Sequence, residues 1–303
     1  MATTTVTRPA KTLSASAGRV RAQSPYPTWF YLPAAVIYGV LFIVPTLIAF
    51  YFSLTRWSIF DSKFIGFGNY VTFFKEPALV TSLWHTLIYA VVTSGLKVVL
   101  GLLLAMLLTS QILARGYLRS VVFFPVLVST IGVGLTFTVL MNPEKGLINQ
   151  SLAAIGIQGP GWLTDPSYAL LSVALVDVWK GVGLATLIYI AGIVSIPQEY
   201  FEAARVDGAG AWDNFRHIVL PLARPATVTV ITLSLIGGLR SFDLIWAMTR
   251  GGPGFTSDVI ASVIYKQYQA GFYGLSTAGS VVLFLLVTII VVPLTRWLNR
   301  GEV

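Results

Sequence analysis

The chain has 303 residues, 55% of them hydrophobic and only 11% charged, with a formal net charge of +8 and no cysteine. A soluble domain carries about a quarter charged residues, so a surface this apolar is solvated by lipid; missing cysteines exclude disulfides, thiolate metal sites and a cysteine nucleophile. The positive charge is spread over alternate loops instead of gathering in one basic stripe with interleaved aromatics, which argues against nucleic acid as a partner.

Residues 1–28 are small, polar and basic (Arg8, Lys11, Arg19, Arg21), with Pro25 and Pro27 ahead of the first apolar run. This reads as a disordered cytoplasmic tail. A cleaved signal peptide is the competing reading, but the apolar run is too long for a signal core and ends without a small-residue cleavage site. Six apolar stretches follow, at 29–54, 84–109, 118–141, 168–194, 222–248 and 275–298. Each is near the ~20 residues that a spanning helix needs. Backbone amides in lipid have no water to bond, so runs this long without alternation are helices, not barrel strands. The expectation is an all-α membrane protein with six transmembrane helices. Residues 29–303 form a single membrane domain without a strong internal repeat, too short to hold an additional soluble catalytic domain.

Loop cations set the orientation. One side collects the four tail cations, Arg115, Arg119, Arg205, Arg216, Arg224, Arg296 and Arg300; the other has Arg56, Lys63, Lys75, Lys145, Arg250 and Lys266, eleven against six. Both termini are therefore expected in the cytoplasm of a multi-pass protein of the cell (inner or plasma) membrane. The loops 55–83, 142–167 and 249–274 then lie outside.

The loop between spans four and five, 197–221, carries the most information. Pro197 ends span four and suits the first turn of a new helix, which runs amphipathically over 198–206. Gly208 and Gly210 permit a turn, and 211–219 form a second short helix that stops at Pro221. Two short helices at a right angle, parallel to the membrane, make a rigid knuckle whose aromatics (Tyr200, Phe201, Trp212, Phe215) call for a covering partner. Ala203 and Ala204 allow a close approach, while Glu202 and Arg205 fix register by charge-assisted hydrogen bonds. An amphipathic loop lying on lipid headgroups is the other physical reading.

Glu202-Ala203-Ala204, Asp207-Gly208-Ala209 and Ile218-x-Leu220-Pro221 together resemble the cytoplasmic EAA coupling motif of ABC importer permeases. Phe64-Ile65-Gly66-Phe67-Gly68-Asn69-Tyr70 resembles an element of the first of the two paired permeases in carbohydrate importers of the maltose/glycerol-phosphate type. Asp177-Val178-Trp179-Lys180 and Ser241-Phe242-Asp243-Leu244-Ile245-Trp246-Ala247-Met248-Thr249-Arg250-Gly251-Gly252-Pro253 resemble that group as well, so the likeness covers 29–298. Gly183 departs from it, standing where many relatives have proline. The resemblance implies a non-catalytic translocation subunit for a sugar or sugar-like solute, working by alternating access. Its knuckle (Glu202, Ala203, Ala204, Arg205, Asp207, Gly208, Phe215) would dock on a dimer of cytosolic ATP-binding subunits. A second homologous permease subunit would form the other wall of the path, and an extracytoplasmic solute-binding protein would deliver a polar small solute. The turn at Gly251-Gly252-Pro253-Gly254 would lie near that binding protein. No G-x-x-x-x-G-K-[ST] occurs, so this chain is expected to bind no cofactor itself, the ATP and Mg being used by the partner ATPase. His85 and His217 lie far apart without metal-ligand spacing, and no metal site is expected.

Ionisable groups inside spans need a reason. Asp177 and Lys180 are spaced i, i+3, as are Arg240 and Asp243, and each pair would neutralise itself on one helix face. They either lock spans four and five together or line a hydrated cavity that binds a polyhydroxylated solute beside Trp179 and Trp246, which are otherwise interface-belt residues. The resemblance adds Gly181, Leu184, Ser234, Gly238 and Ser241 to the pathway; for the glycines, tight helix packing is the alternative. Lys97 has no partner near it in sequence and is given no function. The rival function is an ion-gradient-driven secondary transporter using Asp177 or Asp243; a membrane enzyme would need a paired catalytic constellation that the sequence lacks.

Overall fold

The computed structural model describes residues 27–58 and 60–300, so the tail expected at 1–28 lies outside the described residues as far as residue 26. The described residues fall into two compact units, divided between Leu47 and Ile48. The described part of the first belongs to helix α1, Trp29–Ser53, whose side chains point almost wholly outward.

The second unit begins with the end of α1 and a two-stranded antiparallel hairpin, β1 (Thr55–Trp57) and β2 (Ser62–Phe64). Then come α2 (Gly68–Lys75), α3 (Pro77–Thr109), α4 (Arg115–Leu127), α5 (Thr130–Leu140), α6 (Leu147–Ala154) and α7 (Ala169–Val194). The second half holds α8 (Gln198–Val206), α9 (Ala211–Leu222), α10 (Arg224–Leu239), α11 (Asp243–Met248), α12 (Ile260–Gln269) and α13 (Tyr273–Asn299). Among the described residues, α1, α3, α7 and α13 are long and apolar enough to cross a membrane unaided; two bent pairs, α4–α5 and α9–α10, raise the number to six if each counts once.

Helix α3 organises the unit. At 33 residues it extends about 50 Å at 1.5 Å per residue, well beyond a ~30 Å hydrocarbon core. Its buried stripe holds small and polar residues, among them Ser82, Thr86, Ala90, Thr93, Gly101 and Ala105. Trp84, Ile88, Val99 and Leu103 point outward. In lipid no hydrophobic force draws helices together, so they pack through close backbone approach at small residues. Gly101 faces Ala185 of α7, where a Cβ would lie 2.8 Å from that methyl, and Gly238 of α10 faces the Ala90 backbone at 2.7 Å.

Two expected spans are interrupted. Instead of one helix over 118–141, α4 and α5 meet at 98°. Pro125 removes one amide donor from the end of α4. Val128 and Ser129 are extended, and the Ser129 carbonyl opens α5 by accepting the Val133 amide. The halves pack on different partners, α4 against Gly183 of α7 and α5, through Gly134, against Ala247 of α11. The expected span 222–248 likewise breaks at Arg240–Phe242, between α10 and α11, directly after Gly237-Gly238 has weakened the helix.

The second knuckle helix does not stop at Pro221 as expected. It continues to Leu222, and the chain turns through 67° into α10 at Ala223. Proline is tolerated because residues 215–219 are π-helical, the Leu220 amide reaching back to the Phe215 carbonyl. The same device precedes Pro45, where residues 39–43 widen into a π turn. Widening relieves the clash between a proline ring and the carbonyl four residues back.

Candidate functional site

Along α3, Tyr89, Thr93, Lys97 and Gly101 recur every fourth residue and all are buried. The Lys97 ammonium donates to Asp177 Oδ2 of α7 at 2.7 Å, with side-chain exposures of 9% and 22%. It reaches the acid by crossing Gly181, one turn further along α7. A Cβ there would stand 2.7 Å from Lys97 Cε and 3.0 Å from Nζ. Each ion alone in such a place costs several kcal/mol, and removing one partner of a buried pair costs about 3–5 kcal/mol. Tyr89 is wholly buried, its hydroxyl interacts with the Asp177 carboxylate, and it accepts a hydrogen bond from Ser241 Oγ at 3.3 Å. Ser241 sits in the break between α10 and α11. One polar chain therefore joins α3, α7 and that break.

This corrects the expected i, i+3 pairing. Asp177 pairs with Lys97, eighty positions away, and not with Lys180. Among the described residues Lys180, Arg240 and Asp243 have no ion-pair partner; Lys180 is half-buried, while Arg240 and Asp243 are exposed. Lys97, given no function from sequence, is the residue that reasoning missed. Its signal, a lysine at a buried position of a helical stripe, shows only when the stripe is known. Of the other expected pathway residues, Gly238 is buried against Ala90 and Thr93, Ser234 is half-buried and Leu184 is exposed. Nothing brings Leu184 or Ser234 to the Lys97–Asp177 crossing. Beyond the break, Phe242, Trp246 and Tyr265 form an aromatic trio with ring centroids 4.8 to 5.7 Å apart, of which only Trp246 was singled out in sequence. Trp179 is half exposed, 5.2 Å from the Phe137 ring.

The knuckle lies at the other end of α3. Phe201 and Phe215 are half-buried and pack on the cluster that contains Leu108, Ala105 and Tyr189. Phe215 and Phe201 therefore anchor the knuckle, where exposed rings were expected, while Tyr200 and Trp212 stay exposed. Helix α8 closes on Gly208, whose φ of +78° is the left-handed region glycine occupies without penalty. The Ala209 amide reaches the Ala204 carbonyl at 2.8 Å and the Gly208 amide reaches Arg205 at 3.2 Å, the Schellman closure of a helix end. Asp213 Oδ2 accepts the Gly210 amide at 3.1 Å and starts α9. Glu202, Ala203, Arg205 and Asp207 are exposed and Ala204 is half-buried. No side-chain hydrogen bond or ion pair engages Glu202 or Arg205 among the described residues. Nearby, Arg119 donates to the Leu108 carbonyl at 2.8 and 3.2 Å, and Arg224 to the Leu298 carbonyl at 2.8 Å. Two cations that enter the orientation count thus cap the ends of α3 and α13.

At the opposite end of the unit the Phe64–Tyr70 element proves to be a brace. Asn69 donates to the Ser53 and Thr55 carbonyls at 2.8 Å each, and the Tyr70 hydroxyl donates to Ser53 Oγ at 2.7 Å. After Gly251–Gly254, Asp258 is 1% exposed. Its carboxylate takes Ser262 Oγ and Lys266 Nζ, both at 2.7 Å, and its carbonyl contacts His85 Nδ1 at 3.0 Å. Lys266 also lies 4.9 Å from the Phe255 ring centre. A cavity of about 870 Å³ opens here, lined by Arg56, Trp57, Glu76, Gln267 and Phe272 among others. The sequence reading picked out neither Asp258 nor this cavity.

Residues 97–302 match the family described as binding-protein-dependent transport system inner membrane component. A trehalose/maltose transport system permease protein of Thermococcus litoralis is 34% identical over 258 residues, covering 84% of this chain and 88% of its own. An arabinooligosaccharides transport system permease protein of Bacillus subtilis is 31% identical, covering 88% of this chain and 86% of its own. In structure the chain is similar to a subunit of a bacterial ABC transporter involved in the import of the acidic polysaccharide alginate, with a TM-score of 0.77 at 25% identity over 90% of this chain and 94% of that one.

Proposed function

The chain belongs to the family of inner membrane components of binding-protein-dependent transport systems, and from that premise we infer that it forms one wall of the solute path of an ATP-driven sugar importer. With the family fixed, the ion-gradient alternative falls away. The bent pair α4–α5 counts as one crossing and α10 as another, with α9 part of the knuckle, giving six spans with both termini in the cytoplasm. The observation that carries the mechanism is the knuckle: a surface of Glu202, Ala203, Arg205 and Asp207 with unengaged charges, held rigidly by Gly208 and anchored through Phe201 and Phe215 to α3 and α7. Such a surface suits a partner that opens and closes with ATP and Mg, namely a dimer of cytosolic ATPase subunits. A second, homologous permease completes the path, and a solute-binding protein feeds it from the face that carries the hairpin and the Asp258 loop.

A mono- or oligosaccharide is the solute, a reading supported by the names of the permease relatives and by the local chemistry. Ser241, Arg240 and Asp243 offer hydrogen-bonding groups at a helix break beside the Phe242–Trp246–Tyr265 aromatics. Planar polar partners next to an aromatic face suit polyhydroxylated rings. Purification from native membranes in mild detergent, with mass spectrometry of bound chains, tests the assembly. Recovery of an ATPase and a second permease is expected; repeated recovery of this chain alone or as a homodimer overturns it.

A further inference from the structure

We propose that Lys97 is a positioning residue for translocation: through Asp177 and Tyr89 it holds the helix break at residues 240–242 in place, and Gly181 serves as its seat. The proposal rests on the reading that this break borders the solute path. Three observations carry it. The ammonium is buried and committed to one carboxylate at 2.7 Å. That carboxylate interacts with the Tyr89 hydroxyl, which takes the Ser241 proton donor at 3.3 Å. A methyl at residue 181 would stand 2.7 Å from Lys97 Cε, so an alanine there would press on the end of the lysine and make it give way.

The chemistry explains why a lysine is used. The half-buried Asp177 carboxylate takes Lys97 as its charge partner, and its charge acts on the neighbouring Tyr89 hydroxyl. The Tyr89 oxygen is then left free to accept from Ser241. The Ser241 amide still closes on the Gly238 carbonyl of α10 at 3.2 Å, so the Tyr89 contact adds a side-chain tie to a backbone turn. Without Lys97, Asp177 loses its charge partner, and the Tyr89 hydroxyl beside it loses its fixed surroundings.

The native chain lacks cysteine, so one introduced thiol reports on one place. Full-length chain in membranes carrying Arg240→Cys is labelled with the charged reagent sulfonatoethyl methanethiosulfonate. A parallel Phe60→Cys chain, at a residue 96% exposed on the hairpin, serves as control. Lys97→Met is expected to change the labelling rate at residue 240 by about tenfold, the equivalent of one lost buried hydrogen bond at 1.4 kcal/mol per decade, and to leave residue 60 unchanged. Gly181→Ala asks the same question with a single methyl should Lys97→Met fail to accumulate. In the double variant Lys97→Ala/Gly181→Ala the glycine effect should vanish, because contacting residues are not additive. Unchanged rates at 240 in both single variants overturn the proposal while the path reading stands, as do equal changes at residues 60 and 240. A persisting Gly181→Ala effect without Lys97 overturns the seat. If residue 240 is unreactive in every background, the path reading itself fails and takes the proposal with it.

Discussion

The loop that holds Asp258 and the knuckle that holds Glu202 are both polar segments between helices, yet they are built on opposite plans. Around Asp258 the side chains satisfy one another: Ser262 and Lys266 each take one oxygen of the buried carboxylate, His85 contacts its backbone carbonyl, and Ser257 bonds both Thr249 Oγ1 and the Gly252 carbonyl. In the knuckle the shape is fixed by backbone closure at Gly208 and by the two phenylalanine anchors, while the charged side chains of Glu202 and Arg205 stay unengaged. A segment whose side chains are all used is finished within the chain. One whose backbone is fixed and whose side chains are idle is shaped for something outside it.

The contrast can be broken from the finished side first. Asp258→Ala leaves Lys266 without its acceptor and Ser262 with only the Val259 carbonyl, and should cost about 3 kcal/mol, read as a lower midpoint of thermal unfolding in detergent. Asn69→Ala removes two backbone contacts from the hairpin junction. Its cost should be about 2 kcal/mol, read the same way and as faster proteolysis near residues 55–64. On the other side, Gly208→Val forces a branched residue into a left-handed turn at a cost of about 1–2 kcal/mol. It should lower the ATPase activity of the assembled transporter more than it lowers the unfolding midpoint. Smallest in stability is Glu202→Lys, within about 0.5 kcal/mol as for other exposed sites, yet it should abolish uptake or release the ATPase on co-purification. Normal uptake in Glu202→Lys would remove the distinction between the two plans.

What the sequence revealed tracks how local each feature is. The ends of α7 and α13 fall within a few residues of the expected 168–194 and 275–298, because apolar length alone defines a span. Helix α8 and its stop at Gly208 were legible from residues 198–208, since a glycine closing an amphipathic helix is a nearest-neighbour event. The breaks at 128–129 and 240–242 were hidden inside uninterrupted apolar runs. There the cue was faint, a proline in one case and paired glycines in the other, and packing against different partners decided the outcome. The Lys97–Asp177 crossing was wholly illegible: two i, i+3 pairs were expected from spacing, and an α3 lysine took the acid instead. Asp258 was passed over although Ser262 and Lys266 stand only four and eight residues on, because its burial and its contact with His85 of α3 do not show in the sequence.

The widened turn at 215–219 has a consequence for the azimuth of everything downstream. A π turn holds one residue more than the regular helix, so it advances the following chain by an extra ~100° about the axis. Deleting a single residue there would not simply shorten α9. It would set the Pro221 ring against the carbonyl behind it and, through the 67° turn at Ala223, redirect the axis of α10, carrying Gly238 away from Ala90 and the break at 240–242 away from Tyr89. The angular setting of a wall deep in the bundle is thus written into the residue count of a turn near its rim.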